Sequence, residues 1–456
     1  TGSFGRLFSG SPPLVIDPAI IRRVGAPGGP MEDAIPPALA SDTPAGLIFF
    51  GQFVDHDVTL DVSSSLDAMN DPHEIGNVRT PTLDLDCVYG AGREAHGYLY
   101  KRGSDHLMTG ADYPASMMSH VPAWRHADDL PRTPDGVAII GDHRNDENRV
   151  ISQIQLGFLR FHNRVVDTGR GFEEARRIVR WHYQWIVVNE FLRTLCGNYV
   201  IDDILSHGRR VYRPDAEGKD PYIPIEFAAA GYRFGHSMIP HRLRIRPGAP
   251  QHDLFGPDSV MGKGFEPVTS IDGVVEWSAL LDDGSGSYER AHQLDAKLAP
   301  SLLDLPFIHD GMASLATRNM LRAQSFGVPS GEEVARVMRD ADAREILPGM
   351  VQAVSEAAQG LGFAAGNTPL WPYILLEGKV VGRLSQDRKA PRGPDKYAEG
   401  EGLGPVGAPL VAEVLIGLLQ LDSRSYLGSR PDWSPMDGGD QIGAGVDSLY
   451  KLVSAS

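Results

Sequence analysis

The sequence predicts a mainly α-helical fold with long loops and little β structure. Apolar residues recur at spacings of three and four in several segments, which is the pattern of amphipathic helices. Alternation with a period of two, which marks a half-buried strand, is scarce. The 456 residues include 51 glycines and 34 prolines, so long irregular connections are expected between the helices.

The composition excludes several classes of function. The 43 lysines and arginines are outnumbered by 59 aspartates and glutamates, and the resulting charge of −16 argues against nucleic acid or an anionic membrane surface as the main partner. No run of about 18 apolar residues occurs, so no membrane span is expected. Cys87 and Cys196 are too few for a disulfide framework, although they leave one bridge open.

The first elements follow from proline, glycine and capping residues. Residues 1–40 are rich in proline and glycine, and they are predicted to form an extended arm that adds nothing to the core. Thr43 is predicted to cap a helix over 45–57, with Pro44 as its first residue. Weak helical periodicity and frequent turn residues over 71–142 predict a long loop region, which usually carries function or binds a ligand.

Apolar periodicity and terminal prolines or glycines predict the later helices. These helices cover residues 151–165, 175–186, 225–239, a stretch through 319–322 that ends before Gly327, and 410–420. The helix over 225–239 contains three consecutive alanines at 228–230, so another element or a ligand is expected to approach it closely.

Three polar residues interrupt the apolar helix predicted over 45–57. Gln52, Asp55 and His56 stand at positions i, i+3 and i+4, and therefore share one helix face. Burying an amide, a carboxylate and an imidazole together is costly unless a ligand or a metal satisfies them. The pattern indicates a site; the competing interpretation is a helix end at which the aspartate and the histidine reach solvent.

Two further segments contain polar residues that gain meaning only from their context. Arg144 and Glu147 are three residues apart, so a guanidinium and a carboxylate could address the same cavity. An isolated charged stretch of this kind is more often an exposed helix start. His236 lies among apolar and small neighbours, where a lone histidine is more often a satisfied core residue than a ligand.

Oxygen-bearing side chains alternate with other residues in the segment Thr-Pro-Thr-Leu-Asp-Leu-Asp. In an extended chain the oxygens of Thr80, Thr82, Asp84 and Asp86 would point to one side, as a hard cation such as calcium requires. The segment is not an EF-hand, because Val88 falls where a ligand is needed and the sixth position lacks glycine. A polar loop edge is the competing interpretation.

Taken together and in this order, the four segments resemble the animal-type heme peroxidase superfamily, also called the peroxidase-cyclooxygenase superfamily. The resemblance runs from about Phe4 to about Leu427 and includes the Gly-Pro-Val-Gly segment at 404–407. It implies a single large helical heme-peroxidase domain over 41–456 that follows the N-terminal arm. It also implies hydrogen peroxide as oxidant, and a halide, thiocyanate or a small phenolic donor as the second substrate.

The resemblance assigns catalytic and iron-binding roles. It places His56 and Arg144 as the distal histidine and the distal arginine, with Gln52 beside the histidine. It places His236 as the ligand of the heme iron, and Asn319 as the acceptor of the other ring N–H of this histidine.

The resemblance also assigns residues to the heme periphery and to a cation. The implied cofactor is heme b, with Asp55 and Glu147 where the family forms ester links to heme methyl groups, and with Arg233 and Arg322 near the propionates. The implied calcium ligands are Asp57, Thr80, Thr82, Asp84 and Asp86.

Departures from the family pattern limit which heme links and which branch of the family are expected. Asn148 stands where one family member has a methionine that bonds to a heme vinyl group, so that third link is excluded. The fatty-acid dioxygenase branch places a radical tyrosine three residues before the iron ligand, where this chain has Arg233. Tyr232 is four residues before the ligand, which favours the peroxidase branch. The two cysteines favour a bacterial-type member without disulfides.

Three alternatives stay open beside the peroxidase. They are a heme dioxygenase acting on a fatty acid, a calcium-stabilised adhesion module without heme, and a zinc site built from scattered histidines. The zinc alternative is weak because the 15 histidines include no paired-histidine helix motif. The family resemblance implies an extracellular protein, although the chain opens without a recognisable signal peptide.

Overall fold

Helices make up most of the regular structure in the computed structural model of this chain. The structure describes residues 2–33, 39–60, 69–72, 74–112, 125–258, 260–309, 311–343, 345–384, 397–436 and 445–454. Among these residues, no helix is both long enough and apolar enough to cross a membrane. The prediction of a mainly α fold with little β structure is confirmed.

The first half of the chain contains eight α-helices among the described residues. They are α1 (Pro18–Gly25), α2 (Ala45–Val58), α3 (Asp86–Tyr89), α4 (Arg149–Asp167), α5 (Phe172–Ile186), α6 (Arg193–Cys196), α7 (Asn198–His207) and α8 (Ile225–Ala229). A 3-10 turn over His143–Asp146 precedes α4, and a π-helical turn over Val187–Leu192 joins α5 to α6. A second 3-10 segment, Gly231–Met238, follows α8.

The second half of the chain is also helical. Its helices are α9 (Pro300–Leu303), α10 (Leu315–Ser325), α11 (Gly331–Asp340), α12 (Pro348–Leu361), α13 (Leu370–Val380), α14 (Gly407–Leu421), α15 (Tyr426–Ser429) and α16 (Leu449–Ser454). The helices predicted over 45–57, 151–165, 175–186, 319–322 and 410–420 are confirmed as α2, α4, α5, α10 and α14.

The strands are short and tie distant segments together. They are β1 (Gly2–Gly5), β2 (Ala40–Pro44), β3 (Gly76–Asn77), β4 (Ile223–Pro224), β5 (Arg242–Leu243), β6 (His252–Asp253), β7 (Arg290–His292), β8 (Arg383–Leu384) and β9 (Tyr397–Ala398). β1 pairs antiparallel with β3 and parallel with β4. The pairs β2–β7, β5–β6 and β8–β9 are antiparallel.

Helix α2 is apolar on nearly every side because it runs through the core. Phe53 stacks on Phe158 of α4 with ring centroids 4.6 Å apart, and Tyr183 of α5 meets Phe53 edge-on at 6.0 Å. A helix surrounded by packing partners has no solvent face, which explains the apolar sequence around its few polar residues. The core therefore holds α2 rigidly against α4 and α5.

The N-terminal arm is part of the core, so the prediction that it adds nothing there is wrong. Phe4, Val24 and Met31 are all buried. Asp17 caps α1 by accepting a hydrogen bond from the backbone N–H of Ala19 at 2.9 Å. Apolar residues scattered between prolines escaped the periodicity analysis because they are held by tertiary packing. The division of the chain at residue 40 stays a prediction.

Two predicted helix boundaries are wrong. The helix predicted over 225–239 breaks at Ala230, whose φ of −136° and ψ of −66° end α8, and a tighter 3-10 segment continues the chain. Thr43 lies in β2, and its hydroxyl has no hydrogen-bond partner among the described residues, so it caps nothing. Pro44 precedes the helix instead of starting it.

The two cysteines do not form the bridge that the sequence left open. Cys87 lies in α3 and Cys196 ends α6, and both are buried free thiols in the described chain. Burial raises the pKa of each thiol, so neither is a reactive thiolate near neutral pH.

Candidate active site

A cavity of about 260 Å³ lies between α2, the turn that precedes α4 and the 3-10 segment over Gly231–Met238. Phenylalanine and leucine side chains form much of its wall. The polar residues that line it are Gln52, Asp55, His56, Arg144, Glu147, Asn148, Arg233 and His236. The structure therefore brings three of the four predicted segments to one cavity, although they are far apart in the sequence.

The three polar residues of α2 face this cavity together, as their helical spacing predicts. Burial raises the pKa of Asp55, while the charges of Arg144 and Arg233 oppose the shift. The Asp55 carboxylate accepts a hydrogen bond from the Thr59 hydroxyl at 3.0 Å, one turn further along the chain. The interpretation of this segment as a solvent-exposed helix end is wrong, because the side chains meet a cavity inside the protein.

A chain of amide groups holds the His56 ring in one tautomer. Its Nδ1 lies 2.7 Å from Oδ1 of Asn145, and Nδ2 of Asn145 donates to Oε1 of Gln155 at 2.8 Å. Nε2 of Gln155 donates to the backbone carbonyl of Cys87 at 3.2 Å. A carbonyl is only an acceptor, so the chain orients each amide and leaves the His56 proton on Nδ1. Nε2 of His56 is then the unprotonated nitrogen.

Burial keeps the His56 imidazole neutral. Desolvation, helped by the positive charge of Arg144, lowers the pKa of His56 to about 3. The neutral ring with a bare Nε2 has the protonation state that a proton acceptor needs near neutral pH.

Gln52 links α2 to the residues that directly precede α4. Its Nε2 donates to Oε2 of Glu147 at 3.0 Å, and its Oε1 accepts from Nδ2 of Asn148 at 3.0 Å. Asn148 in turn caps α4 by accepting from the backbone N–H of Ile151 at 3.0 Å. Burial raises the pKa of Glu147 to about 7, so its carboxyl group titrates near neutral pH.

Arg144 lines the cavity and also clamps the end of α2. Its Nη2 donates to the backbone carbonyls of His56 at 3.0 Å and Thr59 at 2.7 Å. Nη2 and Nε also contact the Asp142 carboxylate, at 2.8 and 3.1 Å. Burial alone would raise the pKa of Asp142, but the hydrogen bonds and charge of Arg144, with Arg79 on the other side, hold it well below its usual range.

The opposite wall presents His236 from the 3-10 segment. Burial, helped by Arg233, lowers the pKa of His236 to about 3, so the ring is neutral. Asn319 of α10 contacts Nδ1 of His236 at 2.8 Å, which confirms the predicted pairing of these residues. In this structure the amide nitrogen of Asn319 faces the ring, and its oxygen accepts from Nη1 of Arg233 at 2.7 Å. The role of Asn319 as the acceptor of the ring N–H stays a prediction.

Three arginines converge in an adjoining cavity of about 180 Å³. Arg144, Arg233 and Arg322 line it, together with the Asp55 carboxylate. Ala228 and Ala229 form part of the same wall, which agrees with the close approach predicted for the alanine run. Arg322 does not line the first cavity; it belongs to this second one. Guanidinium groups gathered around a cavity favour a bound carboxylate or phosphate.

The predicted calcium ligands also come together. The Thr80 hydroxyl lies 3.1 Å from oxygens of both Asp84 and Asp86, and 3.0 Å from the Thr82 hydroxyl. Asp57 approaches from α2, where its Oδ2 accepts from the backbone N–H of Leu85 at 3.1 Å. The fully extended geometry predicted for this segment is wrong, because Leu85 has a φ of 62° and Asp86 starts α3.

Three carboxylates share this cluster, and the nearest described arginine contact, from Arg424 to Asp84, is 3.7 Å long. Burial and then the charges of Asp84 and Asp86 raise the pKa of Asp57 well above its ordinary value. Burial, followed by the charge of Asp86, raises the pKa of Asp84 to about 6. Oδ1 of Asp57 and Oδ1 of Asp84 are buried without a hydrogen-bond partner in the described parts of the chain. An all-oxygen donor set of this kind fits a hard divalent cation.

Several residues that shape the site carry no recognisable signal in the sequence. Asn145, Gln155 and the backbone carbonyl of Cys87 orient His56. Asp142 holds Arg144 and is itself paired with Arg79. Asn145 and Asp142 lie in the same segment as Arg144 and Glu147. Their spacing does not distinguish a hydrogen-bond partner from a solvated polar residue.

Comparison with known proteins assigns this chain to a family. A family model described as "Animal haem peroxidase" matches residues 62–344, more than half of the chain. The chain belongs to the animal heme peroxidase family. The matched stretch contains Arg144, Glu147, His236 and Asn319, whereas α2 with His56 precedes it. Membership of this family implies a heme cofactor.

Curated relatives of this family are similar over part of their length. The peroxidasin homologue pxn-2 of Caenorhabditis elegans is 26% identical over 290 residues, which are 56% of this chain and 20% of that protein. Peroxinectin A of Dictyostelium discoideum is 23% identical over 280 residues, 56% of this chain and 47% of that protein. The chain therefore spans half or less of these two relatives.

Two solved structures share the fold of this heme peroxidase family member. Peroxidase A from Dictyostelium discoideum has a TM-score of 0.58 at 15% identity and covers 93% of this chain and 88% of its own. The fatty acid alpha-dioxygenase of Oryza sativa has a TM-score of 0.64 at 15% identity and covers 98% of this chain and 78% of its own. At this identity the likeness shows the fold alone.

Proposed function

We propose that this chain is a heme peroxidase that uses hydrogen peroxide to oxidise a small donor. The observation that carries the proposal is the pair of neutral imidazoles on opposite walls of one cavity. His56 has its Nδ1 anchored by Asn145, which leaves Nε2 free to accept a proton. Nδ1 of His236 contacts the Asn319 amide at 2.8 Å, and Nε2 would bind iron once that amide offers its oxygen to Nδ1.

The residues around the cavity fit heme b. His236 would bind the iron, the apolar wall would contact the macrocycle, and Arg233 and Arg322 would pair with the propionates. For His236 to bind iron through Nε2, its Nδ1 would carry the proton, and the Asn319 amide would have to turn by 180° to offer its oxygen. Arg233 would then pair with a propionate carboxylate in place of the Asn319 oxygen. When bound, heme supplies the redox chemistry of its iron.

The residues of the chain supply proton transfer and electrostatic stabilisation. Nε2 of His56 would accept a proton from one oxygen of hydrogen peroxide and return it to the other oxygen, which would leave as water, with heme supplying the two electrons for cleavage of the O–O bond. Arg144 is held by Asp142 and by two backbone carbonyls, so its charge is fixed before the reaction and stabilises the negative charge that develops on the leaving oxygen. Gln52, anchored by Glu147 and Asn148, lines the same wall.

The donor that we propose is a halide, thiocyanate or a small phenol. Gln52 lies on the wall beside His56, where its side chain would contact an anion that reaches the reaction centre. We place the protein outside the cell as a bacterial-type member, following the family resemblance.

The decisive experiment is a visible spectrum before and after hydrogen peroxide, followed by steady-state assays. We expect a Soret band that changes on adding peroxide, and turnover with at least one donor among chloride, bromide, iodide, thiocyanate and a phenol. Protein that is folded and supplied with heme but shows no Soret band would contradict the proposal, and would favour the calcium-stabilised adhesion module.

A second candidate is a heme-dependent fatty-acid dioxygenase, because the rice dioxygenase shares the fold over 98% of this chain. Tyr232 lines the cavity, but its hydroxyl donates to the backbone carbonyl of Gly51 at 3.1 Å, and burial raises its pKa well above the ordinary value. Oxygen uptake with a fatty acid in the absence of a donor would favour the dioxygenase. Peroxide-dependent oxidation of a donor without such uptake would favour the peroxidase.

We expect Asp55 and Glu147 to form ester bonds to heme. Each ester replaces a C–H bond of a heme methyl group by a C–O bond, a two-electron oxidation in which hydrogen peroxide is reduced to water. The parent protein should then retain heme during acid-acetone extraction, whereas the double variant Asp55→Ala/Glu147→Ala should release it. Asn148→Ala is the matched control, because Asn148 lines the same cavity without a carboxylate. Heme that is fully extractable from the peroxide-treated parent would show that no ester forms.

Calcium bound at the cluster of Asp57, Asp84 and Asp86 should reverse the order of stability of the parent protein and the Asp57→Asn variant. With free calcium about 100-fold above its Kd, binding stabilises the parent by about 2.7 kcal/mol, and Asp57→Asn should lose most of this gain. With chelator, Asp57→Asn should be at least as stable as the parent, because one of three crowded carboxylates has been neutralised.

Thermal unfolding with calcium and with chelator measures this reversal. Asp283→Asn is the control, since Asp283 is exposed and distant from the cluster in sequence. Equal responses of the parent and Asp57→Asn to calcium would contradict the assignment of the cluster as a calcium site.

A further inference from the structure

Outside the cavity, two histidines and an aspartate from three distant segments converge. Asp33 follows α1, His241 directly precedes β5, and His292 ends β7. One potential ligand atom from each residue lies within 4.8 Å of the others. The exposed fractions of the three side chains are 15%, 8% and 11%, so the group is largely shielded from solvent.

The distances from the two histidine nitrogens to the Asp33 carboxylate match those between ligands on one metal ion. Nε2 of His241 lies 3.1 Å from Oδ2 of Asp33, and Nδ1 of His292 lies 3.6 Å from the same oxygen. Bonds of about 2.0–2.2 Å to a common ion separate two ligand atoms by about 2.8–3.8 Å at angles from 90° to 120°. The two imidazole rings lie 5.0 Å apart with a 46° tilt, so they are not stacked face to face.

Hydrogen bonds within the group do not account for its burial. The contact between His292 and Asp33 is too long for a hydrogen bond. Nδ1 of His241 is buried and has no hydrogen-bond partner within the described chain. Buried polar groups in a purely structural role are normally paired, so the long contact between Nδ1 of His292 and Oδ2 of Asp33 leaves room for a ligand between them. His241 would bind the same ion through Nε2, the nitrogen that contacts Asp33, and not through Nδ1.

We propose that Asp33, His241 and His292 bind a divalent transition-metal ion, for which Zn²⁺ is the probe. Two imidazole nitrogens and one carboxylate oxygen suit Zn²⁺ better than calcium, which prefers oxygen ligands only. Three protein ligands leave one tetrahedral position for water or a small anion. The site is separate from the Asp57 cluster and from the heme cavity, which none of the three residues lines.

The proposed ion would cross-link the chain close in sequence to His236. His241 is five residues after His236, and the Asp33 segment is held to Leu298 by a hydrogen bond of 2.9 Å. His292 pairs with Ala40 across β2 and β7. One ion would therefore join three segments that are distant in sequence.

Zinc uptake by the heme-loaded protein tests the proposal. After dialysis against Zn²⁺ in excess calcium, which saturates oxygen-ligand sites, we expect one zinc per chain by elemental analysis. Zinc X-ray absorption should show two imidazole ligands. Asp33→Asn and His292→Ala should each weaken zinc binding by more than about 100-fold. Loss of a residue that only hydrogen-bonds to a metal ligand weakens binding by about 10–100-fold, so a larger loss indicates a direct ligand.

His252→Ala is the matched control for the zinc experiment. His252 contacts Oδ2 of Asp258 at 3.0 Å in a histidine–carboxylate pair that resembles His241 with Asp33, and its replacement should leave zinc binding unchanged. The Soret band and circular dichroism of each variant show that it is folded. Wild-type protein that binds zinc no more tightly than folded Asp33→Asn and His292→Ala would overturn the proposal.

Discussion

Replacing His56 by alanine should lower the rate constant for the reaction with hydrogen peroxide by about 10²–10⁴-fold while heme is retained. The bare Nε2 of His56 is the proton acceptor in the proposed reaction, and alanine removes it without touching the opposite wall, where His236 lies. Stopped-flow spectra of the heme-loaded variant measure the rate constant, and the Soret intensity per chain measures heme retention.

Two companion variants distinguish proton transfer from general damage to the cavity. Arg144→Ala should also retain heme and lose most of its reactivity, because it removes the fixed positive charge. Asn145→Ala should give a smaller loss, since it removes only the acceptor that holds the His56 tautomer. His252→Ala, at a histidine outside the cavity lining, should react like the parent. If His56→Ala and Arg144→Ala both react like the parent, the assignment of the distal residues is wrong.

Replacing Arg132 by alanine should lower the free energy of unfolding by about 3–5 kcal/mol. The Arg132 guanidinium donates to Asp129 and Asp146 in several hydrogen bonds of 2.7–3.1 Å. All three side chains are buried, with exposed fractions between 2% and 4%. Without Arg132, two carboxylates would stay in the interior with their main positive partner removed. Urea unfolding of the parent and of the variant measures the loss.

An exposed arginine provides the control for this prediction. Arg336 contacts Glu333 at 2.7 Å and Asp340 at 3.0 Å, but half of its side chain is exposed, and solvent screens these pairs. Arg336→Ala should therefore leave the unfolding midpoint nearly unchanged. Equal shifts for the two variants would show that burial does not set the strength of these ion pairs.

Because Asp146 directly precedes Glu147, the Arg132 variant should also bind heme more weakly.

Helices with strong apolar periodicity were predictable, and elements held by tertiary contacts were not. α4 and α5 follow from apolar residues at spacings of three and four, since each helix packs one side on the core. The N-terminal arm carries no such period, and yet Phe4 and Val24 are buried by neighbours that are distant in sequence. The break at Ala230 has the same origin, because proline positions predict the ends of a helix but not an interruption inside it.

The sequence by itself determined which side chains can share a local surface. Gln52, Asp55 and His56 must lie on one side of α2, because 3.6 residues per turn is a property of any α-helix. The sequence likewise determined that acidic oxygens follow one another between 80 and 86, and that histidine occurs only once in the segment 231–239.

Only the tertiary structure decided the partners and the direction of the hydrogen bonds. Asn145 lies 89 residues from His56, and the proton position on the imidazole depends on an amide whose orientation is set by Gln155. Asp33, His241 and His292 are likewise separated by long stretches and meet only in the fold. The physical reason is that a hydrogen bond or a metal bond acts over about 2–3 Å, so it requires a packed arrangement that local spacing does not define.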